Sequence, residues 1–334
     1  MMTAEIKIPA ATPHLCSVVT GFVMLEAQGK IRLSVSGSEL PSDGILEVRL
    51  GGKTLAYDMS DGYNFKRPEA VSDYLKDCDC YFKRSFSDSL NEKFFPDSKE
   101  KIQKWGFNYL VTCKGNSYFN RRKNIMTAVN LLRGRKPLSY FTYDRFECEP
   151  DRKKDQKILF MTRLWTADQT TEKNLDAVNT MRIELCKALR REYGEHCLTG
   201  IYDGDYARKI CPELILPNSL TRKNDYLETM KGSDICIGST GLHGSIGWKT
   251  GEYVAASRAI INEKFNYEVT GDFEIGKNYF DFDSVDGCMA HVEKLFSDPD
   301  LAYQIKVNNQ NYYRNYLRPD VQVANSLKAA GVDI

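Results

Sequence analysis

Residues 234–263, from Asp234 to Glu263, read DICIGSTGLHGSIGWKTGEYVAASRAIINE. The opening Ile-Cys-Ile after Asp234, closed by Gly238, is the short apolar run of a strand buried on both faces. A loop with Gly241, Gly244 and Gly247 follows, then a helix expected from Trp248 to Ser257, then a second buried strand at Ala259-Ile260-Ile261. Strand, glycine loop, helix and strand in this order make a βαβ unit, with the loop at the carboxyl end of a parallel sheet. Glycines let the backbone approach a ligand closely, and the N–H groups of a helix start favour a phosphate. Lys249, in the first turn, can add a point charge to that phosphate. Glu252, three residues on, can accept hydrogen bonds from a ribose diol beside it. The same residues also fit tight packing of a helix on a sheet and a solvated i, i+3 pair worth a few tenths of a kcal/mol.

The pattern extends upstream. Ile158 to Met161 is a buried-strand run, Leu175 to Tyr193 a helix with Leu175, Val178, Met181, Leu185 and Leu189 on one face, Leu214 to Leu216 a strand, and Thr221 to Lys231 a helix. This is the β/α alternation of a doubly wound domain. Arg163 stands just past the first of these strands, at the carboxyl edge where open α/β sheets bind ligands. The charged stretch Glu147 to Lys157 reads as a linker. Before it come a strand over residues 3–10, an apolar helix from Leu15 to Gln28 stopped by Gly29, and a strand from Ile31 to Val35. Two further strands, Ile45 to Leu50 and Lys53 to Met59, flank the hairpin signal Gly51-Gly52, so the first sheet is expected to be mixed. Cys78 to Lys83 is a strand, Ser85 to Lys104 an irregular excursion, and residues 121–132 a helix.

The chain has 334 residues with 46 Lys+Arg against 45 Asp+Glu, a net charge of +1, and 42% hydrophobic residues, a globular composition long enough for two domains. Near-neutrality argues against a dedicated nucleic-acid binder. Ten cysteines without paired CxxC spacing make neither a disulfide scaffold nor a metal site, and the reducing cytoplasm is the expected compartment. No apolar run reaches the roughly 18–20 residues of a membrane span. The charge is uneven: residues 76–136 hold 14 Lys+Arg against six Asp+Glu, an excess of +8. Such a patch suits peripheral contact with an anionic membrane surface and equally a solvated face.

The run from Asp234 through Trp248-Lys249, Glu252-Tyr253, Ala255-Ala256 and Arg258-Ala259, followed by Gly276-Lys277-Asn278-Tyr279, resembles the donor-binding half of GT-B glycosyltransferases. It is most similar to the group-1, family-4-like enzymes of surface-polysaccharide biosynthesis, over roughly residues 155–318. The resemblance implies an α/β fold of two Rossmann-like, doubly wound domains facing a central cleft. Residues 1–150, joined by a C-terminal helix over 318–334, would bind the acceptor, and residues 151–317 the nucleotide sugar. It implies Arg163 on the donor diphosphate, Glu252 on the ribose, and Gly241, His243, Gly244, Ser245, Trp248 and Lys249 around the donor. Many group-1 enzymes carry a second glutamate eight residues before the ribose one; this chain has Gly244 there, so the retaining outcome usual in the group does not carry over. His243, next to it, can take a sugar or phosphate contact. Glu263 and Asn278 are further candidates for the cleft.

For the acceptor, His14 lies between the first strand and helix, where a histidine can act as base or cap the helix. Asp58 and Asp61 flank a strand end, as a base for the acceptor hydroxyl or as Asx-turn residues before Gly62. Lys83 and Arg84 end the next strand and can meet an acceptor phosphate. The expected activity is sugar transfer from a nucleotide sugar to a glycan or lipid-linked glycan, with no cofactor, metal or nucleic acid. A nucleotide-sugar epimerase and a non-catalytic glycan- or nucleotide-binding protein are the alternatives. Asp203-Gly204-Asp205 superficially resembles a metal-binding DxD and reads as a turn.

Overall fold

The computed structural model describes residues 1–9, 12–119, 140–153, 155–170 and 174–334. Among them the chain forms two compact units: Met1–Arg145 with Tyr267–Gly271 and Arg314–Ile334, and Phe146–Asn266 with Asp272–Tyr313. Each is built on its own sheet, and the chain is α/β throughout. The helix expected over residues 121–132 lies outside the described residues.

In the first unit, β1 (Thr3–Ile8), β2 (Arg32–Gly37), β3 (Ile45–Leu50), β4 (Lys53–Asp58), β5 (Cys80–Lys83) and β6 (Ile102–Lys104) stand in the order β2-β1-β3-β4-β5-β6. Only β3 is antiparallel to its neighbours, so the sheet is mixed. The hairpin that reverses it places Gly51 and Gly52 at φ of 61° and 76°, the two left-handed positions that a type I′ turn requires. The other five strands send their carboxyl ends to one edge. Helix α1 (Cys16–Ala27) is buried from Cys16 to Leu25, on every side, which is why its sequence is apolar without a stripe. It packs on the helix Pro319–Ala329 so closely that a Cβ at Gly21 would stand 2.2 Å from the Pro319 carbonyl oxygen.

The stretch from Ser85 to Lys104 is ordered, contrary to expectation. It contains α3 (Asp88–Phe94), after α2 (Pro68–Asp77), then a 3-10 segment over Pro96–Lys101 and strand β6. Its aromatics fill the core instead of marking a period: Tyr63 stacks on Phe94 at 5.4 Å, and Tyr63 Oη donates to Asn91 Oδ1 at 2.6 Å. A short parallel pair, β7 (Val111–Thr112) and β8 (Phe141–Thr142), completes the strands of this unit.

The second unit carries β9 (Ile158–Thr162), β10 (Cys197–Ile201), β11 (Ile235–Gly238), β12 (Ala259–Glu263) and β13 (Tyr279–Phe282), in the order β10-β9-β11-β12-β13 and parallel throughout. In chain order this is 2-1-3-4-5, a doubly wound sheet whose winding reverses between β9 and β11. Its helices are α4 (Leu175–Tyr193), α5 (Asp205–Ile210), α6 (Asn218–Thr221), α7 (Lys223–Gly232), α8 (Trp248–Ala255), α9 (Val285–Ser297) and α10 (Pro299–Tyr312); α11 (Pro319–Ala329) belongs to the first unit. Leu214 to Leu216 is not a strand. Pro212, with its fixed φ, starts a 3-10 turn, and Ile215 alone bridges to Ile201. The helix expected from Thr221 is broken by the extended backbone of Arg222, at ψ 139°. Asp234 is buried and fixes the start of β11 by accepting from Lys306 Nζ at 2.5 Å and from the Lys157 amide at 2.9 Å. No helix of the described residues is long and apolar enough to cross a membrane.

Candidate functional site

The reversal between β9 and β11 opens a crevice at the carboxyl edge of the second unit. A cavity of about 350 Å³ lies there, lined by Ala167, Asp168, Gln169 and Thr170 after β9 and by Leu242 and His243 after β11. Arg182 of α4 holds the two loops together. It is buried, with Nη1 donating to the Arg163 carbonyl and Nη2 to the Thr240 carbonyl, each at 2.7 Å. Burial lowers its pKa to about 10. Thr240 is fixed from the other side, its amide and hydroxyl both donating to Glu263 Oε2 at 2.9 Å.

The glycines answer to definite crowding. A Cβ on Gly238 would lie 2.0 Å from Asn262 Oδ1, and one on Gly241 would lie 2.6 Å from Ser245 Oγ. Gly244 has φ +68° and follows His243 at φ +56°, a left-handed pair that turns the chain toward α8. His243 pays for this geometry with backbone strain that a residue carrying a Cβ rarely adopts. Ser245 is buried, and Trp248 opens α8 half-buried behind Gly247.

Two cations face this crevice. Arg163 is exposed, its Cζ 5.1 Å from the ring centre of Trp165 and 5.9 Å from that of Tyr202. Lys249 donates to the Met161 carbonyl across the reversal point, and its Nζ lies 4.7 Å from the Tyr202 ring centre and 5.3 Å from that of Tyr226. One phenol ring thus serves both charges, and neither makes an ion pair with a carboxylate among the described residues. Burial pulls the Lys249 ammonium down to about 7, with Arg163 and Lys223 adding to the effect against the pull of Glu252. Glu252 is buried one turn into α8 and is ion-paired with Lys223 of α7. Sequence reading missed Tyr202, Tyr226, Lys223 and Arg182. The i, i+3 spacing of Lys223 and Tyr226 puts both on one face of α7, but nothing local shows that this face meets α8.

In the first unit, the carboxyl ends of β1, β4 and β5 bring His14, Asp61 and Arg84 together. Arg84 Nη1 lies 2.5 Å from Asp61 Oδ1 and 3.5 Å from His14 Nδ1. His14 sits in a 3-10 turn, its carbonyl accepting from Asn108 Nδ2 at 2.7 Å. Burial, reinforced by Arg84 and opposed by Asp61, lowers its pKa below the usual 6.5, which leaves the imidazole neutral near pH 7.

Asp58 and Lys83 do not join this group. They pair across β4 and β5 at 2.7 Å, both fully buried, and Asp58 also accepts from Tyr81 Oη and the Ser60 amide at 2.9 Å. Burial would raise the carboxyl, but Lys83 and Ser60 outweigh it and hold Asp58 below the usual carboxylate range. An acid saturated in this way is not a base for a substrate, and an enclosed ammonium does not meet an acceptor phosphate. Asn278 is likewise structural, donating to Asn309 Oδ1 at 3.2 Å within the core. Asp203 and Asp205 are both held by Arg208, at 2.7 and 3.3 Å.

No protein-family model and no curated protein matches the chain. Among solved structures it is similar to a glycosyltransferase from Rickettsia africae, at 14% identity over 94% of this chain and 80% of the other, with a TM-score of 0.48. It is also similar to the C-terminal domain of a glycosyl transferase group 1 family protein from Francisella tularensis, at 15% identity over 52% of this chain and 96% of that one, with a TM-score of 0.39. HepE from Anabaena, solved in complex with UDP, is similar at 11% identity over 98% of this chain and all of its own, with a TM-score of 0.39.

Proposed function

We propose that this chain is a GT-B glycosyltransferase that moves a sugar from a nucleotide-sugar donor to a hydroxyl of a glycan or lipid-linked glycan acceptor in surface-polysaccharide synthesis. One observation carries the reading: Arg163 and Lys249 meet over Tyr202 at the reversal point of a doubly wound sheet, neither in an ion pair among the described residues. Two unbalanced cations beside a glycine loop and a helix N-terminus suit a diphosphate. As the sugar–phosphate bond breaks, negative charge grows on the leaving diphosphate, and fixed cations stabilise that charge more than the ground state. Glu252 supplies acceptors for the ribose, and His243, Gly244 and Ser245 bound the sugar side. In the first unit, neutral His14 takes the proton of the acceptor hydroxyl, with Asp61 and Arg84 orienting it.

Arg163 and Lys249 supply the charge that a divalent ion supplies elsewhere, so transfer is expected to survive EDTA. Loss of transfer that Mg²⁺ or Mn²⁺ restores overturns this part. The basic excess over residues 76–136 supports a peripheral position on an anionic membrane. A protein that fails to float with anionic liposomes at low salt removes it.

The test of the central reading is calorimetric titration with UDP, GDP and dTDP, for the intact chain and for Arg163→Ala. Binding of one nucleotide that weakens in the variant is the expected result; no binding of any of the three sinks the proposal. The existing Glu252–Lys223 pair, together with Gly244 in place of a glutamate, favours a second reading in which the chain binds nucleotide without catalysis. Nucleotide binding with no sugar transferred or isomerised, across a panel of nucleotide sugars and acceptors, would select it.

A further inference from the structure

Helix α4 follows the carboxyl end of β9 and runs back along the sheet, so its N-terminal half stands at the crevice and the rest of it lies in the core. Its buried side chains change character along the same line. Leu185, Cys186 and Leu189 join the apolar core, whereas Asn179 and Arg182, three residues apart on one face and 3% and 4% exposed, are polar. A buried guanidinium is costly unless its donors are used.

Both side chains are used on the main chain. Asn179 brackets Trp165, its Oδ1 accepting from the Trp165 amide at 3.1 Å and its Nδ2 donating to the Trp165 carbonyl at 2.8 Å. Arg182 donates to the carbonyls of Arg163 and Thr240, at the head of the same segment and in the glycine loop. Among the described residues, every hydrogen bond of the two side chains ends on backbone. The pair therefore fixes the path of residues 163–165 and ties it to the glycine loop, without cancelling the charge of Arg163.

That path decides where Arg163 stands. Its guanidinium lies over two rings, and each ring is placed separately: Trp165 by Asn179, and Tyr202 by its own amide, which donates to the Thr162 carbonyl at 2.8 Å. An exposed arginine has many rotamers to lose when it meets an anion. One already held over two aromatic faces has fewer.

We propose that Asn179 and Arg182 are positioning residues, which act through Arg163 by presetting its guanidinium for the donor diphosphate. The ligand in this proposal rests on the nucleotide-sugar reading above.

A double-mutant cycle tests it. Asn179→Leu removes the bracket, and Arg182→Lys keeps the charge but cannot fork to two carbonyls. Each is titrated with UDP, GDP and dTDP, alone and combined with Arg163→Ala. Either variant is expected to weaken nucleotide binding about three- to tenfold when Arg163 is present, and by less than about twofold when it is absent, because residues that act as one unit are not additive. Equal weakening in both backgrounds, the mark of a merely structural role, overturns the proposal and leaves the donor reading standing. So does an affinity that neither variant changes.

Arg163 also gives a readout that needs no nucleotide. In protein labelled with ¹⁵N-arginine, the Nε–H resonance missing in Arg163→Ala is expected to be displaced by the two rings, and to move toward the position of free arginine in Asn179→Leu. A parent that binds none of the three nucleotides removes the donor reading. A resonance that Asn179→Leu leaves in place overturns the positioning of Arg163, whether or not a nucleotide binds.

Discussion

The two units end their sheets in cations, and treat them in opposite ways. In the first, Lys83 is closed onto Asp58 and Arg84 onto Asp61, at 2.7 and 2.5 Å. In the second, Arg163 and Lys249 rest on aromatic faces with no ion pair among the described residues. A cation–π contact holds a cation in place without neutralising it. The same residue types at equivalent edges thus hold a fold together in one unit and leave charge for a ligand in the other. Position at a strand end does not separate these roles; the presence of a carboxylate partner does.

The largest expected effect breaks the first side of this contrast. Lys83→Met leaves Asp58 buried without its partner and is expected to cost about 3–5 kcal/mol of stability. Adding Asp58→Asn should recover much of that loss, because it removes the stranded charge. Urea denaturation of the single and double variants measures both. If Lys83→Met unfolds at the same urea concentration as the parent, the pair is not structural.

Arg163→Ala tests the other side. With no ion pair to lose among the described residues, its stability should stay within about 0.5 kcal/mol of the parent. Nucleotide diphosphate binding should weaken by about 1.5–3 kcal/mol, or roughly 10- to 150-fold, as for a hydrogen bond to a charged group. A stability loss comparable to that of Lys83→Met would erase the distinction between the two edges.

Much of the second unit is legible in the sequence because parallel strands buried on both faces read as apolar runs. Ile158 to Met161 and Ile235 to Ile237 are such runs, and all are buried. The Gly51-Gly52 turn is legible because its backbone demands glycine. The run from Ser85 to Lys104 is not, since α3 has only seven residues and its order comes from Tyr63, far off in sequence. Nor does Tyr267–Gly271 announce its place in the first unit, which rests on one bridge to Phe86 and on Thr270. Among site residues, Arg163 follows from its strand-end position and Lys249 from the first turn of the helix after the glycine loop. The neutralisation of Lys83 by Asp58 depends on the register of β4 against β5, which no local pattern encodes.

Lys249 gives the contrast a pH signature. Its pKa near 7 lies on the low side because burial disfavours the charged form, and a bound diphosphate should raise it. Binding then takes up a proton above pH 7, so affinity for a UDP-sugar, whose diphosphate diester does not titrate here, falls as pH rises. The expected loss is about fivefold between pH 7 and 8, steepens toward about tenfold per pH unit above that, and affinity levels off below pH 6. Lys249→Arg, always charged, should flatten the profile. Calorimetry across that range decides; an affinity that rises with pH removes Lys249 from the diphosphate.

The smallest effect concerns Glu252, a paired carboxylate beside the two cations of the second unit. Lys223 caps Glu252, the acid proposed for the ribose, and is itself partly exposed, at 21% against 4% for the glutamate. If the ammonium only occupies an acceptor that the ribose needs, Lys223→Met frees it, and nucleotide affinity should rise. A partly exposed pair is worth about 0.2–1 kcal/mol, so the gain is at most about fivefold. The apo protein should lose a comparable stability, because Glu252 is left buried without its partner. If Lys223 instead reaches the phosphates beside Arg163 and Lys249, the variant binds more weakly. The sign of the change in affinity therefore places Lys223 on one side of the contrast or the other: a charge spent on the fold, or a third charge held for the ligand.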